Sequence, residues 1–321
     1  MDIGKIPNSI LRDLIKSDFY RDEIIVGPGI GKDVSIIDLR DDYMVISADP
    51  ITGATKDIGS LAVNVSSNDL ATVGASPVAV ILTVLAPPGT TALDLENIME
   101  DAKEASRKLG ISIAGGHTEI TDAVTRVLIS SVAIGKVSEF KLEKINIGDL
   151  IVVSKDLALE GTSIIAKESR ECIEFLDSDE LEEAKSLSDY LSVIEEGIIG
   201  REYGAKYMHD ITEGGVLGAA WEASEANGVG VLIYEEKLPF RDVTIKIADF
   251  FKIDARKLIS SGSMLFIFSP ESYENAKIRF NEKNIKTTII GQVVNSGVNI
   301  EDKEGIKPVD EPESDHLYQV L

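Results

Sequence analysis

Residues Lys56 to Pro77 read KDIGSLAVNVSSNDLATVGASP, and the architecture turns on this stretch. Its apolar spacing predicts a helix over 57–73 that carries Asn68-Asp69 near its end and gives way to the turn Val73-Gly74-Ala75-Ser76-Pro77. An acid in so apolar a run is costly to bury unless something pairs with it, and a divalent cation is one such partner. Val78 to Leu85 follows as a run of mostly branched residues and reads as a buried strand. A helix feeding a buried strand is a unit of mixed α/β or α+β domains.

Upstream, residues 7–20 read as a short amphipathic helix and Gly27 to Asp33, GPGIGKD, as a loop. Strands are expected at Val34 to Leu39 and Tyr43 to Ala48, joined by Arg40-Asp41-Asp42. Downstream, a helix starts near Thr91, with Leu95, Ile98, Met99, Ala102 and Leu109 on its apolar face and Gly110 as C-terminal cap. Strands at 111–114 and 124–134 complete this half. Several of them alternate polar and apolar residues, so one sheet face is open to solvent or covered by a partner subunit. A change to charged composition over 136–148 divides the chain into domains 1–147 and 148–321.

In the second half, DLIVVSK predicts a strand and LEGTSIIAKE a helix beginning at Gly161-Thr162. The acidic run 177–183 reads as an exposed helix entry. A helix over 215–227 carries the single Trp221, and strands are expected at 230–234, 264–268 and 287–294. The charged, proline-containing tail from Glu301 reads as loosely ordered.

Composition narrows the function classes. With 321 residues, two domains are the default, and 44% hydrophobic content suits an ordered globular chain. The net charge of −23 opposes non-specific nucleic-acid binding and docking on anionic membranes. It also repels triphosphates, so any phosphate site must be built locally from backbone N–H groups, a lysine or a metal. Cys172, the sole cysteine, cannot form an intrachain disulfide, which fits a reducing cytoplasm. No secretory signal or membrane span is expected from the pattern.

Three glycine-containing polar clusters interrupt hydrophobic surroundings and read together as one site. The first holds Asp49, at the end of a strand in ISADPITG, and Asp69; acids at element ends can converge on a hard cation, or can simply cap and turn the chain. In the second, Gly115-Gly116-His117-Thr118-Glu119 follows a buried strand. The glycines allow close approach of a ligand, while His117 and Glu119 offer a base or ligands. The third, His209-Asp210-Ile211-Thr212-Glu213-Gly214-Gly215, is a polar turn entering a helix, whose N-terminus could hold an anion or be capped by Asp210 or Thr212. Gly27 to Asp33 is not a Walker A loop, because Val26 and Asp33 stand where a glycine and a Ser/Thr are needed. It remains compatible with a nucleotide lid. Cys172, in the charged context RECIEF, reads as a bystander.

The order GxGxKD, SADP, DIGSLAVNVSSNDLATVGASP, GGHTE, EGT, HDITEGGVLGAAWE and ISSGSML resembles the AIR synthase (PurM) superfamily over nearly the whole chain. Within it, the sequence is most similar to the hydrogenase-maturation factor HypE and HypE-like AIR synthase-related proteins. Thiamine-monophosphate kinase, selenophosphate synthetase and formylglycinamidine synthase are further relatives.

The resemblance implies a PurM-like two-domain α/β (α+β) fold. Its N-terminal α/β domain would form a β-barrel across a homodimer, with a C-terminal α/β domain behind and ATP with Mg²⁺ in a cleft. It implies Asp33, Asp49, Asp69 and Glu119 as metal or phosphate ligands, and Gly31, Lys32, Lys56 and Gly59 near the phosphates. Asn68 would orient the site, and Gly115, Gly116 and Thr118 would complete it. His209, Asp210 and Thr212 would face the second substrate or the cleft, and His117 or His209 would move a proton.

Three departures bear on this expectation. Lys32 stands where several relatives carry an acid, and His117 stands where some have one. The residues Asp315-His316-Leu317-Tyr318-Gln319-Val320-Leu321 hold no cysteine, whereas HypE proteins end in the cysteine that receives a carbamoyl group. The expected activity is ATP-dependent phosphorylation of an amide or carbonyl oxygen for dehydration or cyclisation. The alternatives are a nucleotide-binding partner without turnover in metallocofactor assembly and a small-molecule kinase.

Overall fold

The computed structural model describes residues 4–5, 21–26, 36–37, 43–52, 56–137, 143–310 and 315–320. The chain divides into two compact units. One comprises 1–70 with 75–140, and the other comprises 71–74 with 141–321.

The first unit contains the strands β1 (Gly4–Lys5), β2 (Ile24–Val26), β3 (Ile36–Ile37) and β4 (Tyr43–Ile51). Helix α1 (Ile58–Ala71), β5 (Ser76–Ala86), helix α2 (Ala92–Leu109), β6 (Ser112–Ile120) and β7 (Leu128–Val137) follow. Five strands form one sheet in the order β1-β6-β5-β7-β4, while β2 and β3 pair separately. β5 and β6 run parallel with α2 as their crossover; β7 lies antiparallel to both β5 and β4. Helix α2 has both ends specified as the sequence predicts. Thr91 and Asp94 form a reciprocal capping box, and Gly110 takes the left-handed conformation at φ 69°.

Helix α1 is buried nearly all round, down to Ser66, Ser67 and Asn68. It packs on α2 at Gly59, where an added Cβ would stand 2.1 Å from the carbonyl oxygen of Ile98. Both helices therefore cover the same sheet face. The other face is open: Met44 and Ile46 of β4 are 55% and 54% exposed.

Two sequence expectations shift here. Asp49 lies inside β4, which continues to Ile51, and Gly115 to Glu119 lie inside β6 instead of following a strand. The glycines belong to the strand because β6 bulges at Ala114, and a Cβ on Gly116 would meet the Leu82 carbonyl oxygen at 2.0 Å. The helix expected over 7–20 and the loop 27–33 lie outside the described residues.

The second unit begins with β8 (Leu150–Ser154), α3 (Leu159–Glu168), α4 (Cys172–Phe175), α5 (Ser178–Ser186), α6 (Ile194–Glu202) and β9 (Tyr207–Asp210). It continues through α7 (Gly215–Asn227), β10 (Gly230–Tyr234), α8 (Asp242–Phe251), β11 (Met264–Phe268) and α9 (Pro270–Glu282) to β12 (Thr287–Val294), β13 (Val298–Asp302) and β14 (Gly305–Pro308). Its sheet has the order β14-β13-β10-β12-β8-β11-β9. Alternate residues feed two cores. Ile151, Val153, Leu265 and Ile267 pack with Val216 and Ala220 of α7, while Val152, Phe266 and Phe268 pack with Tyr273 and Phe280 of α9.

The tail expectation is corrected. β13 pairs in parallel with β10 and turns back into β14, with Asp302 accepting from the Glu304 and Gly305 N–H groups and binding Lys307 at 2.7 Å. Helix α3 starts at Leu159, two residues before the expected position, after Ala158 in a left-handed conformation.

Candidate functional site

In the first unit, Ser47, Asp49 and Ile51 lie on one side of β4, opposite Ala133, Ser131 and Ile129 of β7. This is the side covered by α1, since the hydroxyls of Ser66 and Ser131 meet at 2.8 Å and the Ser47 hydroxyl donates to Asp69 Oδ2. Asp49 and Asp69, twenty residues apart in sequence, thus reach the same side of the sheet. Asp49 Oδ2 is buried and, among the described residues, accepts no hydrogen bond. An orphaned buried carboxylate oxygen is expensive, and a hard cation is the partner its chemistry suits.

The segment Gly115 to Glu119 is split by its strand. In register with Leu82 and Val84, Gly116 and Thr118 lie on the helix-covered side. His117 and Glu119 pair with Thr83 and Leu85 on the open side, where their side chains approach to 3.4 Å. His117 and Glu119 therefore do not share a sheet face with Asp49. Lys56 is exposed just before α1, after which Asp57 turns the chain at φ 54°. Gly59 is occupied by the crossing of α1 and α2, and Asn68 is wholly buried. Gly31, Lys32 and Asp33 lie outside the described residues.

In the second unit, His209 and Asp210 close strand β9, and Thr212 stands in the turn to α7. His209 Nε2 lies 2.7 Å from Glu222 Oε2 of α7. Burial pushes its pKa down, but the Glu222 and Asp210 carboxylates outweigh this and hold it above the usual imidazole value. Neither Asp210 nor Thr212 caps α7. The N-cap is Gly214 at φ 80°, without a side-chain cap of its own. The acceptor arrives from the far end of the chain, because Asp315 Oδ2 takes the Gly214 N–H at 2.8 Å and its Oδ1 takes that of Leu317.

Around this helix start lies a cluster of buried acids that motif reading missed as a group: Glu160, Asp210 and Asp315. Burial raises the Glu160 carboxyl to a pKa of about 7; the Ser261 hydroxyl and N–H oppose the rise, and Asp315 and Asp210 reinforce it. Burial also raises Asp315, against the N–H groups of Leu317, Gly214 and Ile259. In the sequence the acid in EGT and Asp210 stand in separate motifs, and the neighbours of Glu160 are supplied from 50 to 155 residues away.

Among the described residues, no group of three or more His, Cys, Asp or Glu side chains is placed to hold a metal ion. Mg²⁺ in nucleotide enzymes is commonly held by one or two carboxylates together with the phosphates, so the pair Asp49 and Asp69 is a set of suitable size. No helix among those residues is long and apolar enough to cross a membrane.

Comparison with known proteins bears on the whole chain. The family model described as AIR synthase related protein, N-terminal domain, matches residues 31–137, and that of the C-terminal domain matches 146–303. A candidate hydrogenase expression/formation protein of Methanocaldococcus jannaschii is 30% identical, covering 99% of this chain and 97% of its own length. The carbamoyl dehydratase HypE of Rhizobium leguminosarum bv. viciae is 25% identical over 91% of this chain and 83% of its own. A crystal structure of the hydrogenase maturation protein HypE in complex with ATP has a TM-score of 0.78, with 21% identity and 95% of each chain covered. From these matches, which run through both units, we conclude that the chain belongs to the AIR synthase-related (PurM-like) family and is HypE-like within it.

Proposed function

We propose that this protein is an Mg²⁺-dependent, ATP-using enzyme that phosphorylates an amide or carbonyl oxygen, so that phosphate can then leave in a dehydration or cyclisation. For a primary amide, the γ-phosphoryl group moves to the amide oxygen with release of ADP; loss of two protons and phosphate then leaves a nitrile. The observation that carries the reading is the buried, unpaired Asp49 Oδ2 on the same side of the sheet as Asp69. Likeness to a HypE crystallised with ATP supports the choice of nucleotide. When bound, Mg²⁺ supplies charge neutralisation along the phosphates. Asp49 and Asp69 would hold it, with Asp33 as a further ligand; Glu119, on the opposite sheet face, does not join this set.

Lys56 and the first N–H groups of α1 would balance phosphate charge, with Gly31 and Lys32 from the preceding loop. Asn68, Gly115, Gly116 and Thr118 would shape the pocket. His209, paired with Glu222, would exchange a proton, with Asp210 and Thr212 beside it; His117 is the other candidate. We assign the domains as 1–147 and 148–321, the location as cytoplasmic, and the assembly as a homodimer formed through the open sheet face bearing Met44 and Ile46.

Calorimetric titration with Mg·ATP tests the site. Native protein is expected to bind, and Asp69→Ala to lose at least tenfold in affinity. Equal affinity in both would remove Asp69 from the site.

One observation favours a second reading, a nucleotide-binding maturation partner without turnover. Cys172 is buried, and burial raises its thiol pKa, so it offers no ready thiolate to accept a transferred group. In this reading a transferred group would be accepted on another molecule. ATP hydrolysis above background that is lost in Asp69→Ala would argue for the enzyme.

A further inference from the structure

We propose that Ser47 is the positioning residue of the cation site, orienting the Asp69 carboxylate by donating its hydroxyl hydrogen to Oδ2. This rests on the reading of Asp49 and Asp69 as cation ligands and gives a role to Ser47, which the sequence analysis quotes in SADP without assigning it one.

Ser47 and Asp49 are two positions apart on β4, so both project from the side that α1 covers, spaced by about 7 Å along the strand. One strand thus supplies a carboxylate and, one pleat away, the donor that holds the other carboxylate. Asp69 comes from the last turn of α1. The strand is paired with β7 along its whole length from Tyr43 to Ile51. The Ser47 hydroxyl therefore ties the end of the helix to the sheet.

A second tie lies beside it. Ser66, one turn back on α1, meets Ser131 of β7 at 2.8 Å and also donates to the Ala62 carbonyl oxygen at 2.8 Å. Ser131 is the register partner of Asp49. The two hydroxyl contacts fix the height of α1 over the strands that carry the acids. Only the Ser47 contact reaches a ligand candidate. Hydrogen bonds to ligating carboxylates fix their orientation, and their loss typically weakens metal binding by about 10–100-fold. A hydroxyl suits the position because it donates without adding charge, leaving the two carboxylates negative for the cation.

The test compares native protein with Ser47→Ala, Ser47→Thr and Asp69→Ala. Mn²⁺ binding is followed by electron paramagnetic resonance, and ATP binding by calorimetry with and without Mg²⁺. Thermal midpoints establish that each variant is folded. Ser47→Ala is expected to bind Mn²⁺ about tenfold more weakly and to lose the same factor for Mg·ATP, with metal-free ATP affinity unchanged. Ser47→Thr, which keeps the hydroxyl, is expected to restore metal binding to within a few-fold of native.

A serine that only braces the fold would lower the thermal midpoint and weaken ATP with and without metal alike, which overturns the proposal. Native-like Mn²⁺ affinity in Ser47→Ala, alongside its loss in Asp69→Ala, overturns the role of Ser47 and leaves the site intact. If Asp69→Ala also binds like native protein, the cation site itself is misplaced and both readings fall. Should Ser47→Ala fail to fold, Ser47→Thr and Ser47→Cys decide the matter. Threonine binding like native protein while cysteine, a weaker donor, binds several-fold less supports it; equal binding by both overturns it.

Discussion

Glu160 is held among Ser261, Asp315 and Asp210, and burial lifts its carboxyl pKa from 4.5 to about 7. A raised pKa means that the folded state binds the proton more tightly than the unfolded one. The resulting stabilisation is complete below about pH 4.5 and is lost as pH rises through about 7. The swing is on the order of 3 kcal/mol at most, taken at about 1.4 kcal/mol per pH unit. Glu160→Gln keeps the shape and removes the charge. Urea unfolding of both proteins between pH 5 and 8 is expected to show native stability falling relative to the variant; parallel curves would exclude a titrating Glu160.

At this scale the sequence draws attention to Asp49 and Asp69, because an acid inside an apolar run is conspicuous, and the fold brings both to one side of the sheet. Sequence reading failed with Ser47, Ser261 and Asp315. Serine is unremarkable in any strand or loop, and Asp315 acquires meaning only through Gly214, 101 residues earlier.

Among elements, α1 has one position where its packing leaves no room. The resemblance placed Gly59 near phosphate, yet its Cα faces the backbone of α2, 2.9 Å from the Ala102 nitrogen for an added Cβ. Gly59→Ala is expected to cost about 1–3 kcal/mol through overpacking. A lower denaturant midpoint would appear without nucleotide present, and an unchanged midpoint would show that the helices adjust freely. Elements with local signals were legible: α2 through Thr91 and Gly110, α7 through its apolar run, and β5, β10 and β11 through branched residues. β9 was hidden because its last two residues, His209 and Asp210, look like turn. β13 was hidden because its partner β10 lies more than 60 residues upstream, and β14 because it pairs only with β13; composition carries no trace of register. Helices α6, α8 and α9 went unread among charged residues.

For the whole molecule, the two-unit α/β plan was readable from alternating helices and strands, whereas the open sheet face could be anticipated only as an alternative between water and a partner. Met44 and Ile46 are both more than half exposed on neighbouring positions of one face, and the proposed association through β4 would bury them. Ile46→Lys is expected to shift sedimentation from dimer to monomer, while far-ultraviolet dichroism stays unchanged. A monomeric native protein would exclude the assembly.

The cap that Asp315 provides for α7 has a consequence for biosynthesis. Domains generally mature in the order in which they leave the ribosome. The start of α7 emerges early but stays without its acceptor until Asp315 has been translated and released from the exit tunnel. The second unit should therefore complete its folding late, after the first has had time to settle, and a nascent chain stalled before Asp315 should carry a protease-sensitive segment around Gly214.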